Sequence, residues 1–271
     1  MKAGNTATRI IVAIFAIPII IAASYFGKIY FLFFTCAIAL AAFREFSKIA
    51  AKKNAFVNMP IGYAAVIYFI INSYYSIWDV YSSVLILVLI LLLVELFRKN
   101  NSAVMNLSAT LLGIFYIGFF MSSLIEIREM FADPFYQRGG YVIISAMAAI
   151  WICDSAAYFG GTALGKHKLF RRVSPNKSWE GAVFGFIFAI LTMLLAKEFI
   201  LQFLSFNLIF LIGVTVGVLG QIGDLIESLI KRDANIKDSS SIIPGHGGVL
   251  DRFDSLVYSA PIIFLLLKYF Y

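Results

Sequence analysis

The chain has 271 residues, of which 61% are hydrophobic and only 14% charged, with a mean hydropathy of +0.90. A soluble domain carries charge on roughly a quarter of its residues, so this composition excludes that class and defines an integral membrane protein. The net charge of +7 is spread between apolar runs and gives no support to nucleic-acid binding, and two cysteines and two histidines supply neither a disulfide framework nor paired zinc ligands.

Nine apolar runs follow one another, at about 9–26, 29–43, 59–75, 80–97, 104–125, 141–159, 179–203, 208–230 and 253–271. Most approach the roughly 20 residues that a hydrocarbon core about 30 Å thick demands of a helix. They are continuously apolar and do not alternate, so helices fit and barrel strands do not. An all-α, polytopic membrane fold of nine spans is expected. The first run, with Lys2 and Arg9 before it and Ala22-Ala23-Ser24 near its end, has the flanks of a secretory signal, which fit an uncleaved anchor equally well.

Positive charge tests the count, because Lys and Arg gather in cytoplasmic loops. With the N-terminus inside, 17 of the 22 basic residues fall on the cytoplasmic side, and only Lys28, Arg128, Arg138, Lys197 and Lys268 fall opposite. The C-terminus is then outside, and the polar loops 160–178 and 231–251 both face the cytoplasm. Residues 1–139, helices one to five, show no interpretable motif and read as structural or dimerising. Arg44, Glu45 and Glu95 there read as helix-end anchors and caps. Residues 140–271 carry the polar constellations.

The first constellation reads WICDSAAYFGGTALGKHKLFRRVSPNKSWEG from Trp151 onward. Asp154 lies inside an apolar span, where a carboxylate either bonds a neighbouring helix or lines a functional cavity. The G-x-x-x-x-G-K pattern at 160–166 nearly matches a phosphate-binding loop. His167 stands where Ser or Thr should ligate a metal, and a membrane helix precedes it where a strand is required, so a Walker site is rejected. Farther on, Ser178 is placed to cap a helix, with Pro175 keeping the chain extended before it. A helix N-terminus beside Lys177 is also suited to anions.

The second constellation begins in the eighth run, where Asp224, Glu227, Ser228 and Lys231 fall at i, i+3, i+4 and i+7, on one helical face. Gly217, Gly220 and Gly223 leave room for a neighbouring helix or ligand. After Arg232 come Lys237, Asp238, three serines and Pro244-Gly245-His246-Gly247-Gly248, then Asp251, Arg252 and Asp254. Glycines around a histidine permit backbone conformations that turn amide N–H groups toward an anion. Asp251 and Asp254 are placed to point back at Asp224. Carboxylates from two helix ends among several cations suit a hard ion bridging phosphates, and Mg²⁺ is the natural one.

The pattern Ser228-x-x-Lys231-Arg232, Lys237-Asp238-x-Ser240, Pro244-x-His246-Gly247-Gly248, Asp251-Arg252-x-Asp254 resembles the signature of phosphatidate cytidylyltransferases, the CDP-diacylglycerol synthases. Ser174-Pro175-x-Lys177-Ser178-x-Glu180-Gly181 resembles a second motif of that family. The resemblance covers roughly the last 120 residues and implies transfer of CMP from CTP to phosphatidic acid with release of pyrophosphate. It also implies a helical membrane fold that is often dimeric. Phospholipid synthesis of this kind suits an enzyme of the cell's inner membrane with its site toward the cytoplasm. On this reading Asp224 and Asp251 hold Mg²⁺, with room for a second cation. Lys231, Arg232 and Arg252 neutralise developing charge, and Ser228 and Asp254 complete the metal site. Lys237, Asp238, His246, Gly247 and Gly248 shape the phosphate pocket, joined by Asp154, Ser174, Lys177 and Ser178 as contacts to the nucleotide or its phosphates. A CTP-dependent polyprenol or dolichol kinase and an ion transporter using Asp154, Asp224 and Glu227 are the alternatives.

Overall fold

The computed structural model describes residues 3–99, 102–245 and 247–271. The expectations placed on Lys2 and on His246 therefore lie outside the described residues. The chain is 77% helical, and each apolar run lies in a helix: α1 Ala3–Phe26, α2 Lys28–Ala51, α3 Met59–Tyr75 and α4 Val80–Leu96 come first. They are followed by α5 Ala103–Glu129, α6 Gln137–Leu164, α7 Trp179–Phe199, α8 Phe206–Asp233 and α9 Leu250–Phe270. Of these, α2, α5, α6, α7, α8 and α9 are long and apolar enough to cross a membrane.

The starts are set by side chains that accept an otherwise orphaned amide N–H. Asn58 accepts from Ile61 N, Asp79 from Ser82 N, Ser102 from Met105 N and Ser205 from Leu208 N. The run read as 179–203 overshoots its helix: α7 ends at Phe199, Leu201 and Leu204 turn into the core, and Ser205 caps the start of α8. Two of the long helices are interrupted by a wider π turn, Ile114–Phe119 in α5 and Val216–Gly220 in α8. Such bulges re-aim the residues after them, often at functional sites. Polar sequence between α6 and α7 adds what an all-α reading omits, a two-stranded antiparallel hairpin of β1 Lys168–Phe170 and β2 Ser174–Ser178.

The core runs through the middle of α2, α3, α5, α6, α8 and α9, while apolar side chains on α4 and α7 face outward. Outward apolar surface on helices of this length is what contact with lipid tails requires. At one end of the bundle the buried guanidinium of Arg128 donates to the carbonyls of Ser24, Tyr25 and Tyr136, 2.5, 2.7 and 3.0 Å away, and lies 4.1 Å from the Tyr136 ring centre. Those bonds satisfy the last carbonyls of α1, which no intrahelical donor reaches. At the other end the C-termini of α2 and α8, the β hairpin and the N-terminus of α9 meet, tied by Lys53 to Asp233 at 3.3 Å and by Arg232 Nε to the Val173 carbonyl at 3.3 Å.

Candidate active site at one end of the bundle

The helical spacing of Asp224, Glu227, Ser228 and Lys231 is realised in α8, and the face they form is turned inward. The π turn at Val216–Gly220 lies one residue before Gln221, which donates to the carbonyls of Gly217 and Ala182. Gly223 then lets α9 approach so closely that a Cβ there would stand 2.7 Å from Tyr258 Cβ and 2.8 Å from the Asp254 carbonyl. Asp224 is thereby held against the start of α9. Its carboxylate pairs with the ammonium of Lys177, at the end of β2. Ser228, one turn on, is half-buried.

Three carboxylates from three helices lie within electrostatic reach of one another here. Asp154 of α6 interacts electrostatically with Asp224, and Asp254 of α9 interacts with both of them. Lys177 and Arg252 are the cations that act on Asp154 from beside it. Asp254 is buried and accepts the Ser255 amide at 2.6 Å, whereas the Asp224 side chain is one-third exposed. The cluster therefore opens to a ligand from one side and is walled by protein on the other. The buried hydroxyl of Tyr116, from the π turn of α5, feels the charges of Asp254, Glu227 and Asp224 and has no hydrogen-bond partner among the described residues. A buried hydroxyl without a partner costs free energy, so this O–H is a donor in want of an acceptor.

A second arrangement lies one turn along. Lys231 is buried, pairs with Glu227, and reaches Asp251 Oδ1 at 2.5 Å. Asp251 Oδ2 accepts from the Ser239 amide at 3.0 Å, the Ser239 hydroxyl at 2.9 Å and the Gly248 amide at 2.8 Å. Asp251 thus closes the 231–251 loop against α8, while the charge of Asp254 acts on Asp224. Within the loop Gly245 and Gly247 have φ of +75° and +83°, the left-handed region, and Ile243 pairs with Gly247 as an isolated bridge. At Gly248 the constraint is space: a Cβ would meet Ser239 Oγ at 2.0 Å and Glu45 Oε2 at 2.5 Å.

Glu45 is the residue that the sequence concealed. It is fully buried in α2 and accepts four hydrogen bonds from the loop and the start of α9. Its Oε1 takes the Ser240 hydroxyl at 2.6 Å and the Val249 amide at 3.0 Å, and its Oε2 takes the Ser239 hydroxyl at 2.9 Å and the Leu250 amide at 2.8 Å. It caps α9 from another helix, and a carboxylate at a helix N-terminus is favoured by the peptide dipoles. The signal available was an acid between Phe43 and Phe46, just past the second apolar run, where a charge is costly unless it is partnered. Nothing distinguishes Tyr116 among 14 tyrosines.

Of the other expected site residues, Ser178 caps α7 by accepting Gly181 N at 3.2 Å, as its spacing predicts, and Ser174 is half-buried in β2. Arg232 is exposed and binds the carbonyls of Val173 and Ile236, so it joins the α8 end to the hairpin. Lys237 and Asp238 are exposed, and among the described residues neither makes a hydrogen bond or ion pair. The donor set near Asp224 is all oxygen, which suits a hard cation. Among the described residues no three His, Cys, Asp or Glu side chains are already gathered at ligand spacing.

An acidic site in a bundle with membrane-length helices, with a lysine-bearing hairpin and a glycine-rich loop packed at the same end, is suited to a polyanionic ligand met at a membrane. The cytidylyltransferase family matches residues 7–270, nearly the whole chain, and the chain belongs to that family. It is 34% identical over 269 residues to the phosphatidate cytidylyltransferase of Bacillus subtilis (strain 168), covering 97% of each chain. It is 33% identical over 270 residues to the phosphatidate cytidylyltransferase of Staphylococcus aureus (strain COL), covering 97% of this chain and 98% of that one.

Proposed function

We propose that the chain transfers CMP from CTP to phosphatidic acid, forming CDP-diacylglycerol and pyrophosphate. A phosphate oxygen of phosphatidic acid attacks the α-phosphorus of CTP, the bond from that phosphorus to the bridging oxygen breaks, and pyrophosphate leaves. The nucleophile is already anionic, so the protein's task is to position two polyanions and neutralise their charge. The observation that supports the reading is the pairing of Lys177 on the hairpin with the partly open carboxylate of Asp224 on α8, with Asp154 and Asp254 within electrostatic reach, in a member of the cytidylyltransferase family.

Lys177 and Arg252 are assigned to the substrate phosphates, Lys177 exchanging Asp224 for a phosphate oxygen when nucleotide enters. Tyr116 donates its unpartnered hydroxyl to the same cluster or to a phosphate. Lys231, buried between Glu227 and Asp251, holds α8, the loop and α9 in register, and Arg232 fixes the hairpin. Ser174, Ser178, Lys237, Asp238, Gly247 and Gly248 are assigned to the surrounding phosphate pocket, and His246 is assigned to it from its place in the sequence motif alone. Carboxylate oxygens fit Mg²⁺, and Asp224, with Asp254 and Asp154 beside it, would hold that ion. Asp251 would join by yielding its bond to Lys231, and a second cation would share the same acids. Bound there, the ion supplies charge neutralisation at the triphosphate.

The same reading places nine crossings in the membrane, with the N-terminus cytoplasmic, the C-terminus outside and the site facing the cytoplasm where CTP is found. A bacterial inner membrane and a homodimer complete the proposal. Grouping of both polar loops at one end of the bundle supports that orientation. The test supplies purified protein in detergent with CTP, Mg²⁺ and phosphatidic acid, and follows pyrophosphate and liponucleotide together, with EDTA and lipid-free controls. Matched, metal-dependent appearance of both products is expected. CDP release with a polyprenol and silence with phosphatidic acid would replace this reading with a lipid kinase.

A further inference from the structure

Outside the acid cluster, the hairpin carries a polar cavity of about 590 Å³, lined by Lys166, His167, Lys168, Arg171 and Trp179. Its charge is uncompensated. Among the described residues the one ion pair here joins His167 Nδ1 to Glu180 at 2.6 Å, and no carboxylate lies within ion-pair distance of Lys166, Lys168 or Arg171. A set of surface cations gathered around a cavity selects an anion.

The surroundings say where that anion comes from. Trp179 is 58% exposed and stands at the head of the outward stripe of α7, followed at four-residue intervals by Val183, Ile187, Leu191 and Leu195, all exposed. Tryptophan at the end of such a stripe sits at the headgroup level of a bilayer. Next to the cavity runs an apolar groove of about 470 Å³ between α6 and α7, whose lining includes Phe159, Leu164, Phe184 and Phe188. Leu164, which lines the groove, and Lys166, which lines the cavity, are separated only by Gly165 at the end of α6. Phe170, exposed at the tip of β1, adds a further apolar group beside the cations. A basic hollow above an outward-opening apolar groove has the two-part chemistry of a phospholipid, phosphate above and acyl chain below.

We infer that the β hairpin and the α6–α7 groove form a binding site for an anionic phospholipid of the surrounding leaflet, its phosphate on Lys166, Lys168 and Arg171 and an acyl chain along Leu164, Phe184 and Phe188. The site is separate from the acid cluster and needs no turnover, so it takes acidic lipids that carry no phosphate monoester and cannot act as the nucleophile. It keeps anionic lipid beside strand β2, whose Lys177 reaches the acid cluster from the same hairpin.

The test uses the full chain in phosphatidylcholine vesicles and the fluorescence of Trp179, isolated by subtracting the signal of a Trp179→Phe variant. Phosphatidylglycerol brominated on its acyl chains is expected to quench Trp179 at least about tenfold more effectively, per mole of lipid, than brominated phosphatidylcholine. A Lys166→Gln/Lys168→Gln/Arg171→Gln variant should abolish that preference. Equal quenching by the two lipids would overturn the site. Displacement of the brominated phosphatidylglycerol by inorganic phosphate or by CTP at millimolar concentration would overturn it too, since the cavity would then belong to a free phosphate or to the nucleotide. Because phosphatidylglycerol is not the proposed substrate, this result stands or falls apart from the cytidylyltransfer assay.

Discussion

Asp224 and Glu45 illustrate two ways in which one carboxylate supports an intramembrane site. Asp224 is partly open and paired with a lysine that is itself one-third exposed, whereas Glu45 is sealed and occupied by four donors. Replacing Asp224 by Asn should lower turnover about a hundredfold or more while thermal unfolding of the detergent-solubilised protein stays close to the parent. Near-parent turnover would remove Asp224 from the chemistry. Replacing Glu45 by Ala removes the acceptor of four donors, two buried and two half-buried, and a buried donor left unmet costs about 1–3 kcal/mol. That variant should expose amides 239–250 to hydrogen exchange and lose activity without touching substrate. Unchanged exchange would mean that the loop is held by something other than Glu45. Both outcomes concern residues of very different visibility: Asp224 announces itself by helical spacing beside Lys231, while the role of Glu45 depends on partners about 200 positions away.

At the level of elements, the apolar runs were readable because length and continuity of apolar sequence are the signal for a membrane helix. The caps at Ser178 and Ser205 obey local rules, although only the first stands out from sequence. The π turns in α5 and α8 are properties of backbone register and leave no compositional trace. The β hairpin escaped because strands of three and five residues, mostly polar, present no period to read. The glycine loop was legible in kind, for Gly245 and Gly247 do adopt left-handed backbone. Gly248 works by absence of volume, and Gly248→Ala should displace Ser239 from Glu45 and Asp251. A fall of about tenfold or more in kcat/KM is expected, by comparison with the loss that a misplacement of about 1 Å causes in other sites. Retained kcat/KM would show that the loop absorbs the methyl group. Ser178→Ala removes the α7 cap and should cost about 1 kcal/mol, read as a small drop in Tm.

For the molecule as a whole, the site draws on both halves of the chain. Residues 140–271 contribute the acids, cations and loops, but Glu45 and Tyr116 come from α2 and α5 and reach the same end of the bundle. Motifs confined to the C-terminal half identified the family, yet they carried no information about what supports them, because support comes through packing across the bundle. Orientation is testable on the same scale. A cysteine introduced at Lys168 should react with a membrane-impermeant thiol reagent only from the cytoplasmic side, and one introduced at Tyr271 only from the outside. The reverse pattern would invert the proposed topology. The fate of each CTP phosphorus separates cytidylyl transfer from phosphoryl transfer, and it is followed by supplying the purified chain with phosphatidic acid, Mg²⁺ and CTP labelled at either the α- or the γ-phosphorus. Cytidylyl transfer puts α-label in the lipid and γ-label in pyrophosphate, whereas γ-label in the lipid, or no label in it at all, would rule that reaction out.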